Sequence, residues 1–161
     1  CILTCFDINF PELWQCADDL GAEIVFWPSA YGGGMPLNAF AELYHYYIVP
    51  VGAGNIIDVT GKEMVYQNPR EQHFIATLDL DRVFIHDNYT QEKVQKMLLD
   101  YKGKVEIEQR YNMEAWTLIR SVDSTVSVRQ LCQKYQIETL RQYQHRSRLQ
   151  INRVRECGGV V

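Results

Sequence analysis

The chain has 161 residues, 47% of them hydrophobic, and a formal net charge of -4, which suits one ordinary folded domain. That balance argues against nucleic acid or a membrane surface as the partner of the whole chain, and no apolar run approaches the roughly 20 residues of a membrane helix. The five cysteines, Cys1, Cys5, Cys16, Cys132 and Cys157, and the four histidines, His45, His73, His86 and His145, lack metal-ligand spacing. The missing spacing predicts no metal site, and the odd cysteine count predicts reduced thiols and a cytoplasmic setting.

In chain order, the first signal is Thr4-Cys5-Phe6-Asp7-Ile8-Asn9-Phe10-Pro11-Glu12, where an apolar β run stops at a cysteine just before a helix start. A strand that turns abruptly into a helix presents that sulfur at a sheet edge, beside free backbone N–H donors. Pro11 opens a helix to Leu20, with Leu13, Trp14, Ala17 and Leu20 on one face, and Gly21 stops it. Glu23 to Ala30 then reads as a strand buried on both sides, followed by the loop Tyr31-Gly32-Gly33-Gly34. Two parallel strands joined by a helix place Cys5 and the Pro28-Ser29-Ala30 turn side by side, at the strand ends where sites collect in such sheets. The glycine loop is not a phosphate loop, since no Lys-Ser or Lys-Thr follows it; a flexible border to a pocket is enough. A helix over Phe40–Tyr47, strands around Ile48–Gly52 and Ile56–Val59, a turn at Asp58–Lys62 and a strand over His73–Leu80 complete this half.

A composition shift at Asp81-Arg82 divides the chain into residues 1–82 and a polar extension, 83–161, expected to be helical. Thr90 is placed to cap a helix through Asp100, Ala115–Arg120 continues a mixed apolar segment, and Ser127–Tyr135 and Ile137–Val154 read as two further helices. Such an extension suits a subunit contact or an active-site cover. Its last two helices also have the outline of a helix-turn-helix, with Arg141, Arg146, Arg148, Arg153 and Arg155 on the second. Against nucleic acid stand the missing turn glycine, the few aromatics and the commoner use of arginine-rich helices as solvated or subunit-facing surfaces.

The ordered set of Cys5-Phe6-Asp7, Phe10-Pro11-Glu12, Gly21-Ala22-Glu23-Ile24, Pro28-Ser29-Ala30, the Phe40–Tyr47 helix, Ile48 to Asn55 and Asp58-Val59-Thr60-Gly61-Lys62 resembles the carbon–nitrogen hydrolase (nitrilase-like) superfamily over residues 1–82. The resemblance implies an α/β fold of the layered αββα sandwich type and hydrolysis of an amide, nitrile or carbamoyl compound through a cysteine thioester. It makes Cys5 the nucleophile, the Phe6 backbone N–H an oxyanion donor, and an upstream Glu and Lys the base and the charge stabiliser. Neither stands among Cys1–Thr4, so the chain is expected to be the carboxyl-terminal part of a longer homo-oligomeric enzyme, inactive and poorly packed alone.

The residue types fit that chemistry, because attack on an amide or nitrile carbon needs a thiolate, a proton carrier and donors for the developing charge. The resemblance also implies a pocket lined by Trp27, Ser29, Ala30 and Tyr31. Asn9, where many members of the family carry Arg, resembles the amidase-like branch. Glu12 and Asp7 read as structural, in a helix first turn and at the elbow. His45 is a conceivable papain-like base for Cys5, although a hydrogen-bonded helix residue is the plainer reading. The alternative function is a non-catalytic nitrilase-like assembly or regulatory subunit with an interaction tail.

Overall fold

The computed structural model describes residues 1–52, 55–66, 75–88, 90–156 and 158, with Val65 and Tyr66 described by their backbone alone. These residues form a mixed α/β protein that divides into two compact units, Cys1–Leu78 and Asp79–Val161.

In the first unit a 3-10 helix, Cys5–Asn9, leads into α1 (Pro11–Asp19), β1 (Ile24–Pro28), α2 (Met35–Tyr44), β2 (Tyr47–Val51), β3 (Asn55–Ile57) and β4 (Glu63–Tyr66). The sheet order is β1-β2-β3-β4; β1 and β2 are parallel, from Ile24 opposite Tyr47 to Pro28 opposite Val51, and the remaining pairs are antiparallel. Side chains alternate across a strand, so Val25 and Trp27 turn together into a core with Leu3, Trp14, Ala17, Leu37, Phe40 and Ile48. Trp14 of α1 stacks on Phe40 of α2 at 4.5 Å between ring centroids, which fixes the two helices over that face.

Several expectations change here. The strand expected to run into Cys5 is reduced to one parallel bridge, Ile2 to Phe26, because the backbone must leave the sheet at Thr4 to open the 3-10 helix. The helix expected over Phe40–Tyr47 runs instead over Met35–Tyr44: Pro36 favours its first turn, and His45 at φ 55° ends it in a left-handed cap, freeing Tyr46 and Tyr47 to be buried. Of the strand expected over His73–Leu80, His73 and Phe74 lie outside the described residues and 75–80 make no strand pairing.

Two glycines hold conformations that a side chain would disturb. Gly52, at φ 97°, follows β2 where Ser29 N–H donates to Val51 O, and a Cβ there would meet Ser29 O at 2.8 Å. Gly33, at φ 70°, lies against Trp27 and Leu37, where a Cβ would come within 2.9 Å of the indole ring. Within the glycine loop, Gly33 alone packs on Trp27; Gly32 and Gly34 are exposed, with open space where a side chain would stand. Gly52→Ala should lower the stability of the first unit by about 1–3 kcal/mol, read as a shift in a thermal or denaturant melt; an unchanged midpoint would show that the Ser29 carbonyl yields freely.

The second unit corrects the expected helical extension more deeply. It carries β5 (Val83–His86), α3 (Gln91–Asp100), β6 (Val105–Tyr111), β7 (Trp116–Ser121), α4 (Val128–Lys134) and α5 (Leu140–Glu156). The three strands form an antiparallel sheet in the order β5-β7-β6. Charged residues on the polar side of this sheet pair with one another: Glu106 lies opposite Arg120 and pairs with it at 2.7 Å, and Arg82, just before β5, pairs at 2.6 Å with Glu108 of β6, which is not a neighbour of β5 in the sheet. Val83, Ile85, Ile107 and Ile119 supply the apolar side of the same alternation, packed against Val94, Met97, Val128 and Leu131.

Helix ends in this unit are closed by particular side chains. Thr90 sits at the first cap of α3; its hydroxyl donates to His86 O at 2.8 Å, and it makes no side-chain cap bond to α3 itself. The α4–α5 turn lacks glycine because Gln136 adopts the left-handed conformation in its place, at φ 53°. Gln136 N–H donates to Gln133 O at 3.1 Å and Ile137 N–H to Cys132 O at 2.8 Å, the pair of bonds that closes a helix of this kind. Thr139 and Gln142 then cap α5 reciprocally, at 2.9 and 3.2 Å.

Asp81, the residue at the compositional boundary, holds the start of α4 from 46 positions away in sequence. Its carboxylate accepts from Ser127 Oγ–H and from Val128 N–H, both at 2.7 Å. Replacing it leaves an orphaned first-turn donor, so Asp81→Ala should destabilise the second unit by about 1–3 kcal/mol. Ser127→Ala, which spares the Val128 bond, should cost less. Urea melts of the two variants give the comparison, and equal midpoints would assign the cap to Ser127 alone.

Candidate active site

The backbone at Cys5 is the unusual feature of the first unit. Cys1–Leu3 run beside β1, with Leu3 N–H donating to Phe26 O and Phe26 N–H to Cys1 O, each at 3.0 Å. Two residues later the chain reverses: Cys5 has φ 43°, in the left-handed region that costs an L-residue roughly 1–2 kcal/mol. The turn is held from its far side by Asp7, whose carboxylate accepts from Thr4 N–H at 2.7 Å while Asp7 N–H donates back to Thr4 O at 2.9 Å. Trp14 of α1 adds an indole N–H on Asp7 O at 3.0 Å.

The carbonyl of Cys5 faces β1 and the loop after it. Trp27 Nε1–H and the Tyr31 hydroxyl both donate to Cys5 O at 3.2 Å, and the two rings meet edge to face with centroids 5.3 Å apart. Trp27 is wholly buried, so it supports the turn from beneath and has no free face to offer a pocket; Tyr31 is half-exposed. Ser29 Oγ accepts from Tyr31 N–H at 3.2 Å and shapes the approach of that ring; Ala30 is exposed beside it. Asn9 is exposed, and its amide donates to Phe6 O at 3.0 Å, closing the 3-10 turn. Phe6 N–H stands in the first turn of that short helix, ahead of any acceptor the helix itself provides. The structure thus brings Cys5, Trp27 and Tyr31 into direct contact, adds Ser29 through Tyr31, and ties Asn9 to Phe6.

The roles of Trp27 and Tyr31 as donors to one carbonyl are what sequence reasoning missed. The available signal was chemical: a tryptophan in a buried strand carries one N–H that needs an acceptor. His45 falls elsewhere. It precedes β2 at the strand's amino end, whereas Cys5 lies past the carboxyl end of the paired segment, and four residues of strand separate those levels by ~13 Å. The register therefore puts His45 and Cys5 at opposite ends of the paired strands.

The free thiols differ in setting. Cys1 and Cys16 are exposed and Cys5 is half-buried. Cys132 is buried in the second unit, and burial, with the nearby Asp81 charge as the lesser cause, pushes its thiol up to about 11. Such a group behaves as a small apolar side chain. Among the described residues no group of His, Cys, Asp and Glu is assembled to hold a metal ion.

No protein-family model matches this sequence, and no curated protein matches it either.

If the backbone at residue 5 is strained as its φ indicates, glycine there should relieve what alanine cannot. Cys5→Gly is expected to be more stable than Cys5→Ala by about 1 kcal/mol, the reverse of the order in an ordinary helix or strand. Chemical melts of the two variants, neither of which has a thiol at that position, decide it; an Ala variant as stable as the Gly variant would mean that the turn relaxes at no cost.

Proposed function

We propose that this chain belongs to a cysteine-dependent hydrolase of non-peptide carbon–nitrogen bonds, with Cys5 as the nucleophile. The observation that carries the reading is the strained, doubly hydrogen-bonded turn at Cys5, beyond the end of a parallel strand segment. Strain of this kind persists only where the surroundings over-determine it, and nucleophiles on sharp strand-to-helix turns are a recurrent use of it.

In this reading the Cys5 thiolate attacks the carbon of an amide or carbamoyl group. The S–C bond forms as the carbonyl π pair moves to oxygen, where the Phe6 N–H receives the charge. Collapse breaks the C–N bond, and the amine leaves with a proton from the base that took the thiol proton. Water then adds to the thioester, the S–C bond breaks, and the acid and the thiol are released. A nitrile enters the same sequence through a thioimidate. The resemblance assigns the base to a Glu and the charge-stabilising cation to a Lys.

The layered αββα fold is part of the same proposal. Ile2 and Phe26, side by side on the sheet face opposite Leu3 and Val25, remain 69% and 44% exposed. A row of that kind suits a second sheet packed about 10 Å away. Among the described residues no helix is long and apolar enough to cross a membrane; a cytoplasmic homo-oligomer without a cofactor is the setting we propose.

In the intact protein, Cys5→Ala should abolish hydrolysis of an amide or nitrile that the parent turns over, and should abolish the acyl adduct in intact-mass spectra, whereas Cys16→Ala should leave both unchanged. Substantial turnover by the Cys5→Ala protein would sink the assignment.

A further inference from the structure

We propose that Tyr31 and Trp27 are positioning residues for the thiol, acting through the Cys5 carbonyl. The proposal deepens the reading of Cys5 as a nucleophile and rests on it. Two side chains of one short segment donate to this carbonyl at the start of the 3-10 helix, Trp27 Nε1–H and Tyr31 Oη–H, each at 3.2 Å. The backbone they hold is the one whose φ is 43°. Rotating Cys5 back to an ordinary negative φ swings its carbonyl away from both donors, so the two bonds oppose the rotation that strain favours. The direction of the Sγ atom is set by that same backbone.

The two donors differ in what they are tied to. Trp27 is fixed in the core, with Gly33 and Leu37 laid against its ring, so its N–H is a constant of the fold. Tyr31 is 45% exposed on the loop between β1 and α2, and reaches Cys5 from the solvent side. Its backbone is bound by the Ser29 Oγ acceptor, and the loop beyond it is tightened by Gly34 N–H donating to Gly32 O at 2.8 Å. Tyr31 is therefore the donor that links the glycine-rich loop to the nucleophile: whatever seats this loop also seats the thiol.

Tyr31→Phe keeps the ring and removes only the hydroxyl, at a half-exposed site where folding is not at risk. One net hydrogen bond fewer should raise the population of the relaxed turn by about two- to tenfold. In the intact protein, hydrogen exchange of the amides in residues 6–9 should rise by that factor relative to α1, and kcat should fall by a similar factor with KM unchanged. Tyr31→Phe combined with Trp27→Phe should exceed either change alone, provided a cooperative melt shows that the double variant is folded. Unchanged exchange in residues 6–9 overturns the clamp, whatever the activity. Faster exchange with an unaltered, Cys5-dependent kcat overturns the positioning role and leaves the nucleophile standing. If turnover does not depend on Cys5, the functional reading fails separately. The clamp is then judged by the rate of iodoacetamide labelling at Cys5 against Cys16, which Tyr31→Phe must alter for it to survive.

Discussion

A buried indole N–H must have an acceptor, and in the first unit that requirement joins the core to the turn at Cys5. Trp27 lies on the inward face of β1 among Leu3, Val25, Leu37 and Ile48, where no water replaces a missing partner. The acceptor within reach is the Cys5 carbonyl, at 3.2 Å. A Cys5 in extended conformation would carry that carbonyl away and orphan the N–H, at a cost of about 1–3 kcal/mol, comparable to the ~1–2 kcal/mol of left-handed strain it would relieve. The Tyr31 hydroxyl, a second donor on the same oxygen, tips the balance toward the strained form. Packing, which needs a large ring at position 27, therefore also dictates the backbone at position 5.

In the second unit, two of the basic residues on the last helix pair are held by neighbours within the unit. Seven of the sixteen basic residues but only two of the twenty acidic ones fall between Val128 and Glu156, which by itself would read as a polyanion-binding helix pair. Yet Lys134 donates to the Tyr101 hydroxyl at 2.8 Å and lies over the Tyr101 and Tyr135 rings, and Arg146 grips Glu138 at 2.9 Å while covering Tyr143. Tyr135 in turn donates to Asp100 at 2.7 Å; this bond pushes the phenol up to about 12 and, with Lys96 as the lesser cause, draws the Asp100 carboxyl below its ordinary value. These groups fasten α4 to α3 and the start of α5 to the turn before it.

Much of the first unit was legible because its signals are local. Pro11 and Gly21 bracket α1, the run Ile24–Trp27 has no room for polar residues, and Asp58 with Gly61 makes a turn wherever it sits. The second unit was misread because a strand with charged alternate positions and a surface helix look alike until the partner strand is known; Glu106 becomes intelligible once Arg120 stands across from it. The same holds for Asp81, whose role as a cap depends on a contact 46 residues away, and for Gln136, which does a glycine's work because neighbouring bonds repay the strain. At the candidate site the cysteine and its turn were visible, whereas the donors on its carbonyl were not. Sequence spacing shows which side chains share a strand, but the acceptor of an indole N–H is a fact of three dimensions.

The exposed row on the first sheet bears on how such a turn could work. Parallel strands are ordinarily covered on both faces, because their side chains are apolar on both. Here one face is closed by α1 and α2, while the other presents Ile2 and Phe26, with Val49 half-buried opposite Phe26. Covering that row would remove water from beside β1 on the side away from the helices, stiffening the strand that carries Trp27. A stiffer β1 holds its indole N–H closer to one position, and so holds the Cys5 carbonyl. Closure of the second face and the geometry of the thiol would then be set by the same strand. In the layered reading, a thiol at the end of an edge segment that is paired through a single bridge at Ile2 would be held in one orientation.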